Sequence, residues 1–214
     1  MKPFRIFIHA GSKPGPSIRL QEVLDDIFDY VFKASGLIDA CEKIIVFTSD
    51  DDVKVPVHEK IENCRVDGEW GFDSLEIFHK FCVQNPHYNV LITHCKGTTD
   101  GPKHNHETQD DWRKLMCYFT ITKYLECIKI LETHETCGVN YCEQPWKHYS
   151  GGFFWANAEY VKSLPSPLEY TSSGDRFRTE SWVGENIKSP YCMHKSKVNH
   201  YGQRYPKELY EEKS

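Results

Sequence analysis

Short apolar runs separated by helical patterns constrain this chain most. FRIFIH (Phe4 to His9), KIIVFT (Lys43 to Thr48) and YNVLIT (Tyr88 to Thr93) are rich in β-branched and aromatic residues, the composition of strands. The unbroken apolar character of KIIVFT marks a strand covered on both faces. Between the first two runs, Leu20, Leu24, Ile27 and Val31 recur at helical spacing and predict a helix from about Ser17 to Ala34, closed by a left-handed Gly36. Asp73 and Glu76 have N-cap and N3 spacing and head a second helix whose buried stripe is Leu75, Phe78 and Cys82. A weaker strand is expected near Cys64 to Val66, a long helix from about Asp110 to Leu131 and a short strand over Cys137 to Asn140. The last third reads as loop-rich, with a strand after the glycine pair Gly151-Gly152 and one helix from Asn157 to Ser163. Strands alternating with helices predict an α/β fold: one domain over residues 1–214, with a mostly parallel, Rossmann-like central sheet flanked by helices on both faces. The charged tail YPKELYEEKS is expected to fray or to lead into a longer parent chain.

Composition excludes several partners. A chain of 214 residues buries roughly 70% of its unfolded surface, so a core needs no staples. The net charge of −5 leaves no basic footprint for nucleic acid. No apolar run reaches the roughly 18 residues of a membrane span. Arg5 and His9 interrupt the first apolar stretch, so it reads as a strand and not as a secretory core. Nine cysteines without a CxxC pair, mostly at apolar positions, predict reduced buried thiols in a cytoplasmic compartment. Their spacing is also poor for a zinc module.

In parallel sheets, ligands bind at the carboxyl ends of the strands, and polar clusters fall there. They are His9-Ala10-Gly11-Ser12, Ser49 to Asp52 and His94-Cys95-Lys96-Gly97. Strand-end logic places Ala10, Gly11 and Asp50 at this ligand edge. His94 and Lys96, two residues apart, are expected on one face just beyond the sheet, and Gly97 lets backbone approach a bound group. The plain alternative is a solvated strand end. Cys95 fails as a His-activated nucleophile, because adjacent strand residues point to opposite faces. In HYSGGFFWAN, Gly151 and Gly152 suggest backbone held against a ligand. Of the aromatic residues that follow, most belong to the core, and one exposed ring such as Trp155 would offer a platform for a sugar face. MHKSKVNHYGQRYP gathers His194, Lys195, Lys197, His200 and Arg204 into a basic segment suited to covering a diphosphate. A solvated positive patch is the competing reading.

Together these segments resemble the GT-A nucleotide-sugar glycosyltransferases. The combination of HCKG, DWR (Asp111-Trp112-Arg113) and YSGGFFWA is similar to bacterial and viral glycosyltransferase domains carrying HTKG, DWR and GNFWWA, the chlorovirus capsid-protein glycosyltransferases among them. The resemblance implies a GT-A fold, a nucleotide-sugar donor with UDP-sugar favoured, and a glycan or glycoprotein acceptor such as a viral capsid protein in the host cytoplasm. It places Ala10, Gly11, Asp50, Asp73, His94, Gly97, Lys197 and Arg204 on the donor, and Gly151, Gly152 and Trp155 on the acceptor. The family's Asp-x-Asp is His94-Cys95-Lys96 here, which removes two anionic ligands and adds a cation. Lys96 would then offset leaving-group charge directly, or His94 and His200 would ligate Mn²⁺ with help from Asp50 to Asp52. For an inverting enzyme the acceptor's base is Glu180, with Asp175 second, while Asp111 is a helix-start carboxylate. Two alternatives stand beside this reading. One is a sugar nucleotidyltransferase, for which HAGSKPGPS is a weak phosphate loop. The other is a non-catalytic sugar-binding module.

Overall fold

The computed structural model describes residues 1–11, 19–49, 51–66, 72–98, 105–170 and 177–212. Its strands are β1 (Phe4–Ala10), β2 (Lys43–Thr48), β3 (Ile61–Arg65), β4 (Asn89–His94), β5 (Thr136–Val139), β6 (Tyr141–Cys142), β7 (His148–Tyr149), β8 (Phe154–Asn157) and β9 (Pro190–His194). Seven form one sheet in the order β3-β2-β1-β4-β8-β5-β9, and β6 and β7 form a small hairpin. β1 runs parallel to β2 and β4, β2 to β3, and β5 to β9. Among the described strands of the seven-stranded sheet, only β8 runs against its neighbours. The helices are α1 (Leu20–Lys33), α2 (Leu37–Ala40), α3 (Phe72–Gln84), α4 (His106–Cys117), α5 (Tyr124–Ile130), α6 (Ala158–Lys162), α7 (Pro167–Tyr170) and α8 (Phe177–Ser181).

Strand alternation sorts the core into two layers. Phe4, Ile6, Ile8 and Ala10 of β1 pack with α1, α4 and α5 on one face. Phe7 packs with Phe78 of α3, Tyr160 of α6 and Trp182 on the other. Each large apolar side chain so buried contributes about 1.5–3 kcal/mol, so both layers hold the sheet between helices. The fold is therefore the expected class, a mainly parallel Rossmann-like sheet covered on both sides.

Several boundaries differ from expectation. The first helix starts at Leu20, and residues 12–18, which include the SKPGPS loop, lie outside the described residues. Gly36 is left-handed (φ 72°) as predicted, but it also leads into α2, a turn too short to carry a periodic signal. Asp73 is not an N-cap, because α3 already begins at Phe72. The long helix starts earlier, at His106, where the Asn105 side chain accepts from the amides of Glu107 and Thr108. It is also interrupted by a π-turn over Tyr118–Thr122. There Thr120 turns its carbonyl outward to accept the Trp155 indole N–H at 2.7 Å. The last third, which reads as loop in the sequence, also holds β9 and the short helices α7 and α8. The tail does not fray through residue 212: Tyr210 packs among Tyr118, Phe119 and Tyr205, and Glu212 pairs with Lys123 at 3.1 Å.

Candidate functional site

The carboxyl ends of β1, β4, β5 and β9 and the amino end of β8 meet at one edge, since β8 is antiparallel. His9 and His94 stand side by side in the β1–β4 register. Burial lowers His9 to about 4, and its Nδ1 lies 2.8 Å from Ser74 Oγ. Burial, then Lys96 and His9, lowers His94 to about 3. Both imidazoles are therefore neutral at pH 7. Gly11 leaves the sheet so close to His9 that a Cβ would sit 2.6 Å from its Nε2.

Beyond His94 the strand geometry ends. The Lys96 amide donates to the His94 carbonyl at 2.8 Å, and Gly97 takes φ 94°. Arg113 Nη1 donates to the Lys96 carbonyl at 3.0 Å and Arg19 Nη1 to the Gly97 carbonyl at 3.3 Å. Both arginines pair with Asp110, and Arg113 also pairs with Asp26 at 2.8 Å. Burial opposes the Arg113 charge, but its bonds to Asp26 and Asp110 prevail and hold the guanidinium above its ordinary range. So anchored, the turn sends the Lys96 ammonium over the Trp112 ring at 4.3 Å, with the Tyr201 ring at 5.6 Å. Cation–π contacts of this kind contribute about 0.5–2 kcal/mol.

Trp112 also stacks on His200, centroids 5.1 Å apart and planes at 11°. The tautomer of His200 follows from its neighbours. The Ser196 backbone N–H donates to Asn140 Oδ1 at 2.9 Å, which fixes the amide and turns Asn140 Nδ2 to His200 Nε2 at 3.2 Å. That nitrogen is thus an acceptor, and Ser196 Oγ lies 2.8 Å from it while donating to Asn140 Oδ1 at 3.1 Å. The ring proton sits on Nδ1, which is buried without a partner among the described residues, as is Trp112 Nε1. Burial, together with His194 and Lys96, outweighs the pull of Asp111 and lowers His200 to about 4, so the ring is neutral. Leaving such a donor unpaired costs about 1–3 kcal/mol.

Gly151 and Gly152 complete this edge, both with positive φ (95° and 78°). A Cβ on Gly151 would lie 2.4 Å from Met116 Sδ and 3.1 Å from Trp112 Cε2, and one on Gly152 would lie 3.1 Å from His94 Cε1. The glycine pair thus lets the chain pass between the Trp112 and His94 side chains.

The structure brings Ala10, Gly11, His94, Lys96, Gly97, Gly151, Gly152 and His200 together at this edge. Other assignments change. Trp155 offers no face to a sugar, being fully buried with its N–H on Thr120. Asp111 is not a helix-start carboxylate: it lies in the second turn of α4 and accepts from Arg204 and from the Tyr205 amide. Arg204 therefore spends its charge on Asp111 and Glu107, which hold it above its ordinary range, and clasps residues 195–212 onto α4. Glu76 accepts from Ser166 Oγ at 2.8 Å and so ties down the α6–α7 connection. Lys195 bonds the Tyr141 carbonyl, and Lys197 is exposed with φ 59°. Asp73 lies in the first turn of α3, and Glu180 is half-buried in α8. Asp50 and Asp175 lie outside the described residues. Burial pushes the Cys95 thiol up to about 12, and all nine cysteines are free.

Among the described residues no three His, Cys, Asp or Glu converge on a point that could hold a metal. His200 Nε2 is already engaged by Asn140 and Ser196, and the Lys96 ammonium acts on both His94 and His200. The described donors do not fit a divalent cation.

The fold defines a class, the α/β proteins built on a mainly parallel central sheet flanked by helices. The chain belongs to the family described as Domain of unknown function (DUF8361), whose model matches residues 51–209. No curated protein matches it significantly. Among solved structures it is similar to the 2-C-methyl-D-erythritol 4-phosphate cytidylyltransferase of Francisella tularensis, at 11% identity and TM-score 0.50, over 91% of both chains. It is also similar to the 4-diphosphocytidyl-2C-methyl-D-erythritol synthase of Anaerococcus prevotii, at 12% identity and TM-score 0.48, over 90% of this chain and 87% of that one. At 11% identity the first of these likenesses establishes shared fold alone.

Proposed function

We propose that the chain is a transferase acting on a nucleotide-activated sugar, moving the sugar from a nucleotide-diphosphate donor, UDP-sugar foremost, to a glycan acceptor such as that of a viral capsid glycoprotein. The observation that carries this reading is the convergence of Lys96, Trp112, His200 and the Gly151-Gly152 turn at one strand-end edge. The bond broken is anomeric carbon to phosphate oxygen, and the diphosphate leaves with its electron pair. Lys96 offsets that developing charge, while the surrounding rings fix its ammonium. The acceptor hydroxyl is the nucleophile, and Glu180 takes its proton in an inverting reaction. A bound Mn²⁺ would supply further charge neutralisation, and it would need ligands beyond the described residues.

A second reading is a sugar nucleotidyltransferase. It is favoured by the fold shared with a cytidylyltransferase over 91% of both chains. The two differ in what leaves. Incubation with a panel of nucleotide sugars should release nucleoside diphosphate under the first reading. Incubation with nucleoside triphosphates and sugar phosphates should release pyrophosphate under the second. Neither product from any pair would defeat both.

A further inference from the structure

We propose that Trp112 Nε1–H and His200 Nδ1–H form a two-donor receptor for one oxyanion, with the Lys96 ammonium beside it, and that His200 acts as a hydrogen-bond donor and not as a metal ligand. The inference deepens the transferase reading and rests on it, the oxyanion being the phosphate that leaves. Trp112 and His200 are 2% and 4% exposed, and neither N–H meets an acceptor among the described residues. Buried donors ordinarily find partners, so two orphans on adjacent stacked rings point to an acceptor supplied from outside. A phosphate-type oxyanion has several acceptor oxygens, no donors to conflict with two N–H groups, and a charge complementary to Lys96. Asn140 and Ser196 then have a distinct role: the Ser196 amide orients Asn140, whose Nδ2–H donates to Nε2 and holds the proton on Nδ1. His200 lies on the segment clasped by Arg204 and Trp112 lies on α4, so admitting the oxyanion requires a small displacement of one against the other.

Calorimetric titration of the full chain with inorganic pyrophosphate tests this, once in EDTA and once with Mn²⁺. Binding is expected in EDTA. Trp112→Phe should weaken it about tenfold or more, the loss typical of a hydrogen bond to a charged group. Two His200 variants separate the ring nitrogens: His200→Asn keeps an amide N–H near Nδ1 and should bind, while His200→Gln carries its amide towards Nε2 and should weaken binding about tenfold or more. Circular dichroism and a thermal midpoint confirm that each variant folds, and the Asn/Gln contrast decides if Trp112→Phe does not. Binding that needs Mn²⁺, or that is unchanged in both Trp112→Phe and His200→Gln, overturns the proposal. If nucleotide sugars are still turned over in that case, the transferase reading survives. If neither pyrophosphate nor any nucleotide binds, both fall.

Discussion

Replacing Gly151 with alanine probes the edge most sharply. Two costs follow from the structure. At φ 95° an L-residue occupies a sparsely populated region, at about 1–3 kcal/mol. The new methyl would sit 2.4 Å from Met116 Sδ and 3.1 Å from Trp112 Cε2. The flexible end of Met116 must swing away within a fully buried site, and the nearly buried Trp112 ring yields little, so overpacking of this kind adds about 1–3 kcal/mol. Gly152→Ala has the backbone cost (φ 78°) but a nearest contact of only 3.1 Å, to His94 Cε1. Gly151→Ala should therefore lose about 2–6 kcal/mol and Gly152→Ala the lower part of that range. For a chain of this size, the first corresponds to a fall in thermal midpoint on the order of 10 °C. Differential scanning fluorimetry and urea melts of the two variants beside the parent measure both. Equal midpoints for the two variants would refute the packing argument, and an unchanged Gly151→Ala would refute the backbone argument as well.

Other outcomes are equally definite. Lys96→Met keeps the hydrocarbon stem against Trp112 and removes the charge, so turnover of the nucleotide sugar should fall on the order of 10²–10³-fold, with the melting temperature down by a few degrees from the lost cation–π contact. His9, His94 and His200 have folded pKa values of about 4, 3 and 4. The unfolded chain binds protons at these sites first, so the stability they confer is complete above pH 6.5 and drains as pH falls towards 4, by up to about 1.4 kcal/mol per pH unit per group. Urea midpoints across that range should decline, and His9→Gln should flatten the slope. Arg204→Ala unlatches residues 195–212 from Asp111 and Glu107, which hydrogen exchange should report as faster amide exchange there, with β1 and β4 unchanged.

Much of this was readable from the amino acids, and the failures have physical causes. The runs around Phe7, Val46 and Leu91 announced buried parallel strands because strands covered on both faces need no polar alternation. The polar ends of those strands pointed to the edge where Lys96 and His200 meet. Trp155 misled because a buried and an exposed indole look alike in a string of letters, and only the turned-out Thr120 carbonyl decides between them. Asn140, Ser196, Arg19 and Asp26 drew no attention. The last two act through ion pairs between residues far apart in sequence, on no motif and at no periodic spacing. Asn140 carried one usable hint, a polar residue at the end of the strand run Cys137 to Asn140, where a left-handed backbone (φ 51°) suits asparagine better than most residues. β9 gave little signal, since its residues are only partly covered at the edge of the sheet.

The widened turn at Tyr118–Thr122 holds one residue more than a regular helix would need. Deleting that residue would close the widened turn into regular helix and leave Tyr124, Cys127 and Ile128 on the face that already covers the sheet. It would also withdraw the acceptor that Trp155 depends on. The extra residue and the indole should therefore be inherited as a pair: a cousin of this chain with an uninterrupted helix here should carry something other than tryptophan at the facing position of β8.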